Sequence, residues 1–327
     1  MSRLTLNGVH KIEIPTSFSV GNINVYILDG PYLSMIDAGI KTDEALFTLE
    51  RELYKMGRRI EDIKKIYLTH SHVDHCGLSQ RISQISGGRV FLHRYDRYKA
   101  VSSFKELFDI EYRLYKSYFH EAGLSPSFWQ TFVREMEEVW TTFSEPASSV
   151  DTIEHGEIVE CGERKLKVLH LPGHSRGSLC YLDEDSRILF SGDHLLDRIS
   201  PNPLLELYSK IEYGYRSLET YLNSLHITRR LDVDLVLPGH GDFIEDHRKL
   251  IDHILKHHQY RAERILDTLA EGEKTKSEIC DILFGRLEGR EVLLGLSEVE
   301  GHLELLETRG DIIKRKKNGH LLFYKKG

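Results

Sequence analysis

Short apolar runs dominate the first third of the chain, at positions 10–14, 24–28, 33–36, 64–68 and 90–92, and each predicts a strand. Between the third and fourth runs, positions 43–56 put Leu46, Leu49 and Leu53 on one face, the spacing of an amphipathic helix. Strands are expected again at 166–169, 178–182 and 188–190, followed by a helix at 217–225 and a strand at 235–237. Strands mixed with helices in this order predict an α/β architecture in which helices cover packed sheets.

Positions 102–143 interrupt this alternation with a helical, aromatic pattern. Phe104, Phe108, Tyr112, Tyr115 and Phe119 recur at three- and four-residue steps, and Phe128, Trp129, Phe132 and Trp140 follow a break at 123–126. Such a stripe is expected to be packing first and a ligand wall second. From about Arg261 the chain reads as a separate unit. Helical patterns at 261–270, 277–284 and 297–307 precede strands at 311–315 and 320–324, joined through Asn318-Gly319, a strong hairpin turn. Three helices and a hairpin form winged-helix order. The expected domains are therefore 1–255, carrying the insertion, and 256–327.

Composition narrows the functional classes. With 327 residues, 40% hydrophobic and 29% charged, the chain is an ordinary globular protein, and a net charge of -7 argues against a primary role in gripping nucleic acid. Cys76, Cys161, Cys180 and Cys280 form no CxxC pair, so neither a disulfide framework nor a thiolate zinc site is expected. There is no secretory apolar core at the start and no stretch of membrane-spanning length, so a cytoplasmic setting is expected.

The candidate chemistry lies in Thr69-His70-Ser71-His72-Val73-Asp74-His75-Cys76-Gly77, directly after the apolar run Ile66-Tyr67-Leu68. Burying three imidazoles and a carboxylate together without partners is costly, and metal ions would satisfy them. Three later strand ends each carry one more candidate behind a glycine: Gly173-His174, Gly192-Asp193 and Gly239-His240. Asp37, in Met35-Ile36-Asp37-Ala38-Gly39, repeats the strand-then-glycine pattern. Neutral imidazole suits zinc and similar divalent ions, and a carboxylate can bridge two of them.

This His-x-His-x-Asp-His cluster, followed in order by an isolated His, Asp and His, resembles the metallo-β-lactamase superfamily over about residues 10–245. The resemblance implies an αββα sandwich, here with the helical insertion and a small C-terminal winged-helix domain. It implies one ion on His70, His72 and His174, a second on Asp74, His75 and His240, and Asp193 bridging. Asp37 would orient the ligands by hydrogen bonding, and Asp74 would help move a proton. Two divalent ions are implied, zinc first, with manganese and iron as alternatives. Members doing di-iron redox chemistry carry Glu at the position of His72, so hydrolysis is the implied reaction class.

The expected activity is hydrolysis of a small ester, thioester or lactone by a metal-bridging hydroxide. The core, the His257-His258-Gln259-Tyr260-Arg261 segment and the tail together resemble the β-lactamase-like protein 2 group, which implies an endoribonuclease as the alternative. A ligand-sensing DNA-binding regulator ranks third. The third tail helix carries Glu298, Glu300, Glu304 and Glu307, so DNA reading is not expected. The wing carries Lys314, Arg315, Lys316 and Lys317, a surface for RNA or for the second copy of a homodimer, although residues 261–327 balance 13 basic against 13 acidic groups. Ser200-Pro201-Asn202-Pro203 is expected to border the cleft, and Tyr208, Tyr213 and Tyr215 are candidate donors to an oxyanion.

Overall fold

A computed structural model describes residues 5, 6 and 8–326. Seven strands form the first sheet: β1 (Thr5–Leu6), β2 (Val9–Ile14), β3 (Ile23–Leu28), β4 (Leu33–Ile36), β5 (Ile63–Tyr67), β6 (Arg89–Leu92) and β7 (Asp151–Thr152), in that spatial order. Pairing is antiparallel from β1 to β4 and parallel from β4 to β7. The second sheet runs β12-β11-β10-β9-β8, built from β8 (Ile158–Cys161), β9 (Arg164–His170), β10 (Leu179–Asp183), β11 (Ile188–Gly192) and β12 (Leu235–Pro238). Between the sheets Tyr26, Leu28, Tyr67, Val168, Tyr181 and Phe190 share one core.

Helices cover both outer faces, as the αββα expectation requires. Helix α1 (Asp43–Lys55) and, further on, α3 (Ser79–Ser86) pack on the first sheet through Leu49, Leu53 and Ile82. Thr42 caps α1 by accepting from Ala45 N–H, while Asp43 and Glu44 complement its positive end. Between them α2 (Val73–Cys76) is a single turn carrying Asp74 and His75 of the candidate ligand cluster. On the second sheet lie α9 (Ser217–Thr228) and α10 (His247–Ala270), through Tyr221, Leu225, Ile251 and Ile254. No helix among the described residues is long and apolar enough to cross a membrane.

The helix expected at 261–270 begins at His247 and runs unbroken across positions 255 and 256. Asp246 caps it, and its buried positions, Ile251, Ile254, His258, Ala262 and Ile265, continue along one stripe. One half thus lies on the second sheet and the other on the tail. The edge strands β7 and β8 fall outside the strands that the pattern predicts, being short with alternate residues exposed.

The insertion comprises α4 (Arg94–Val101), α5 (Phe104–Ile110), α6 (Tyr115–Glu121) and α7 (Pro126–Phe143), and α8 (Leu207–Tyr213) packs nearby. The tail adds α11 (Lys276–Phe284), α12 (Glu291–Arg309) and the hairpin β13 (Ile312–Lys317)–β14 (His320–Lys325), reversed at Asn318-Gly319 with both residues at positive φ. Insertion and tail share one core. Tyr115, Phe119 and Phe132 pack with Ile265, Ile279, Leu296 and Val299. The aromatic stripe is packing.

The acidic helix α12 turns Glu298 and Glu300 inward. Glu300 is buried and ion-paired to Lys276 at 2.5 Å and to Lys210, and it accepts from Tyr118 O–H at 3.1 Å. Basic groups of the hairpin are matched as well: Lys314 with Glu307, Arg315 and Lys317 with Glu273, and Lys316 with Glu121 of the insertion. Burial would raise the Glu300 carboxyl, but the ammonium groups of Lys276 and Lys210 outweigh it and hold it at about 2, below its ordinary 4.5. Its contribution is therefore present above pH 4.5 and lost as pH falls toward 2. Trp129 and Trp140, both in α7, are expected to report a fluorescence change across that window. In Glu300→Gln the change is expected to flatten, with a cost of about 3–5 kcal/mol at neutral pH from the stranded Lys276 ammonium, since Lys210 keeps Glu304. An acid transition identical in the variant and the parent would refute this role.

Candidate metal centre

All four ligand loops leave the carboxyl ends of strands: β5 before His70, β9 before His174, β11 before Asp193 and β12 before His240. His72 stands at the N-cap of α2, whose single turn puts Asp74 and His75 side by side. The glycine before His240 is needed for room: a Cβ at Gly239 would meet Asp193 Oδ1 at 2.6 Å and His75 Cε1 at 2.7 Å. At Gly173 both constraints apply, with φ at +148° and Tyr221 Cβ 2.4 Å from an added Cβ.

The structure brings all seven sequence-derived ligand candidates together. His72 Nδ1 lies 2.8 Å from His70 Nε2 and 3.0 Å from His174 Nε2. Beside this trio, His240 Nε2 is 3.4 Å from Asp74 Oδ2, and His75, Asp74 and His240 form a second group able to hold a cation. Asp193 stands between them. Its Oδ2 is 3.5 Å from His174 Nε2, and its Oδ1 is 3.3 Å from His75 Nε2 and 3.8 Å from His240 Nε2.

Asp37 falls where an orienting group belongs. It accepts from Thr69 N–H at 2.7 Å and lies 2.8 Å from His75 Nδ1, which turns His75 Nε2 inward. The Asn202 carbonyl lies 2.9 Å from His174 Nδ1, and the Asn22 carbonyl lies 2.8 Å from His240 Nδ1. Outer partners of this kind fix ring orientation and tautomer.

A model of the metallo-β-lactamase superfamily matches residues 19–240. The chain belongs to the metallo-β-lactamase superfamily. It is 30% identical over 326 residues to "Probable metallo-hydrolase YqjP" of Bacillus subtilis, covering 98% of this chain and 99% of the relative. The metallo-β-lactamase family protein TTHA1429 from Thermus thermophilus superposes with a TM-score of 0.82 at 28% identity, over 98% of this chain and 99% of that one. A shorter match, 39% identical over 90 residues, is to "Acyl-coenzyme A thioesterase MBLAC2" of Homo sapiens, covering 27% of this chain and 30% of that protein. Membership of this superfamily, with its named metallo-hydrolases, makes the chain a metal-dependent hydrolase.

The donor set fits the divalent ions that the metallo-β-lactamase superfamily binds. His75 Nε2, Asp193 Oδ1 and His240 Nε2 are buried without a hydrogen-bond partner, and they converge on one another. Three such atoms left unmatched would be costly, and a cation satisfies them together. Protonation agrees for the trio: burial pushes His70 and His174 down and His72 to about 3, keeping them neutral as ligation requires. Burial also disfavours charge on His75, but Asp193, Asp37 and Asp74 outweigh it and raise its imidazole. The same attraction, set against burial, holds Asp193 well below the carboxylate range.

Other residues of this superfamily site carry no motif. Asp96, fully buried in α4, accepts from Ser71 N–H at 3.0 Å, Ser175 O–H at 3.0 Å and Gly177 N–H at 2.9 Å, tying the His72 and His174 loops together. The Ser200–Pro203 loop does border the centre, through the Asn202 carbonyl. His170 stacks on His93, and His194 contacts Thr228, so neither joins the ligands. Tyr208 and Tyr213 lie in a separate cavity, while the Tyr215 hydroxyl is buried without a partner.

Proposed function

We propose that the protein hydrolyses acyl esters of small molecules, thioesters first, at a two-cation centre held by His70, His72 and His174 on one side and Asp74, His75 and His240 on the other. The two-faced placement of Asp193, with one oxygen toward each group, carries this reading. Divalent cations held there would supply a hydroxide nucleophile near neutral pH and polarise the acyl carbonyl. The chain's own residues do the rest. Asp193 would hold a cation with each of its two oxygens, Asp37 holds the His75 ring, and Asp74 takes up the proton released by the nucleophile at attack and passes it to the leaving group.

The thioester preference rests on the partial likeness to MBLAC2, described as an acyl-coenzyme A thioesterase. An endoribonuclease would use the hairpin cations to hold a strand, but Lys314, Arg315, Lys316 and Lys317 each face a carboxylate. Metal analysis of the purified protein should be run beside a parallel screen of acyl-coenzyme A thioesters, lactones, p-nitrophenyl esters and single-stranded RNA. Thioester turnover that disappears on chelation and returns with zinc or manganese supports the reading. Turnover of RNA alone, or thioester cleavage indifferent to metal, would sink it.

A further inference from the structure

Arg176 lies two residues beyond His174, so its Cα is within about 7 Å of that ligand's. Its loop is anchored on both sides by the Asp96 carboxylate, through Ser175 O–H and Gly177 N–H. The guanidinium carbon sits 4.0 Å from the Tyr95 ring centroid and 4.1 Å from that of Tyr213, a sandwich between two aromatic faces. A guanidinium ordinarily pairs with a carboxylate, and a candidate is near: Glu206 accepts the Arg176 backbone N–H at 2.8 Å. That carboxylate is instead committed to Lys99 at 3.1 Å and Ser209 at 3.0 Å. Among the described residues, the side-chain N–H groups of Arg176 meet no acceptor.

These residues line a cavity of about 710 Å³, which also holds Arg113, Arg94 and Tyr208. Arg113 is exposed and has no ion-pair partner among the described residues. Arg94 is engaged at 3.5 Å by Glu154 on an exposed surface, a weak pairing. Two acidic groups, Asp109 and Glu212, line the cavity too; with Arg94 set against Glu154 the charges balance, and recognition falls to the free edges of Arg176 and Arg113. The volume lies in the range of small-molecule sites. Flat guanidiniums with free edges are the donors that grip phosphate in pairs, and aromatic faces stack on a nucleobase.

We infer that this cavity receives the phosphorylated nucleoside end of a coenzyme A thioester, while the acyl carbonyl reaches the cations through the flexible arm that separates the two ends. The inference rests on the thioester reading above and adds to it the group that is recognised. Arg176 and Arg113 bind the phosphates, Tyr208 offers a ring face to the adenine, and the anchored loop fixes this grip relative to His174.

The test compares hydrolysis of an acyl-coenzyme A with that of the matching acyl-pantetheine, which has the same thioester and no nucleotide, on the full metal-loaded chain. The parent protein is expected to favour the coenzyme A ester in kcat/KM. In both Arg176→Ala and Arg113→Ala the ratio of the two values is expected to fall at least tenfold, through KM. Arg113 is exposed, so it keeps the test decisive if Arg176→Ala misfolds. Adenosine 3′,5′-bisphosphate is expected to compete with the coenzyme A ester in the parent and at least tenfold less well in the variants. Equal kcat/KM for the two esters in the parent, or a ratio unmoved in both variants, overturns the nucleotide site while leaving thioester hydrolysis standing. Competition by single-stranded RNA but not by the bisphosphate also overturns it. If neither thioester is cleaved, it is the functional reading that has failed.

Discussion

Asp193→Ala is expected to lower turnover by about a thousandfold or more and to reduce bound metal below the two ions per chain proposed for the parent. The magnitude follows from the several kcal/mol of charge stabilisation that paired cations supply at an acyl transition state, about 1.4 kcal/mol for each factor of ten. Asp193 faces both groups, so its loss damages both at once: Oδ2 sits 3.5 Å from His174 and Oδ1 3.3 Å from His75. His72→Ala removes one imidazole from the first group only and is expected to spare the second. Metal content by elemental analysis, measured beside thioester turnover, separates the two cases. Full metal loading and parental turnover in Asp193→Ala would end the two-cation account.

Phe132→Ala is expected to destabilise the protein by about 3–5 kcal/mol, the range for emptying a fully buried aromatic site. Phe132 is wholly inaccessible in α7, and its ring packs edge-on against Phe119 at 4.9 Å and Tyr112 at 6.1 Å. The same core holds Ile265, Leu296 and Val299 of α10 and α12. Loosening is therefore expected to appear in the tail as well as in the insertion. Amide hydrogen exchange checks this: faster exchange in α12 as well as in α7 is the expected pattern, and loss of protection confined to α7 would contradict the shared core.

Much of the site is legible before any fold is known, because its ligands are chemically conspicuous and stand in order. Asp37 can be singled out by the same strand-then-glycine pattern as the others. Asp96 cannot: it is one carboxylate in a helix, and its role depends on loops 25 and 79 residues away in sequence. Asn22 and Asn202 act through backbone carbonyls, for which side-chain identity carries no signal. In the fold, β3 is buried at all six positions and so lacks alternation; length and β-forming residues identify it instead. The start of α10 escapes the pattern because its buried stripe includes His247 and His258, polar side chains where the pattern seeks apolar ones. The joint core of insertion and tail is non-local, and local periodicity cannot announce it.

That shared core has an evolutionary consequence. Neither segment can be gained or lost alone: deleting the carboxy-terminal helices would strip the aromatic helices of their cover, and deleting the aromatic helices would bare Ile279, Leu296 and Phe323. Homologues are expected to keep both or dispense with both, and a trimmed version of this chain would have to shed the two together to stay soluble.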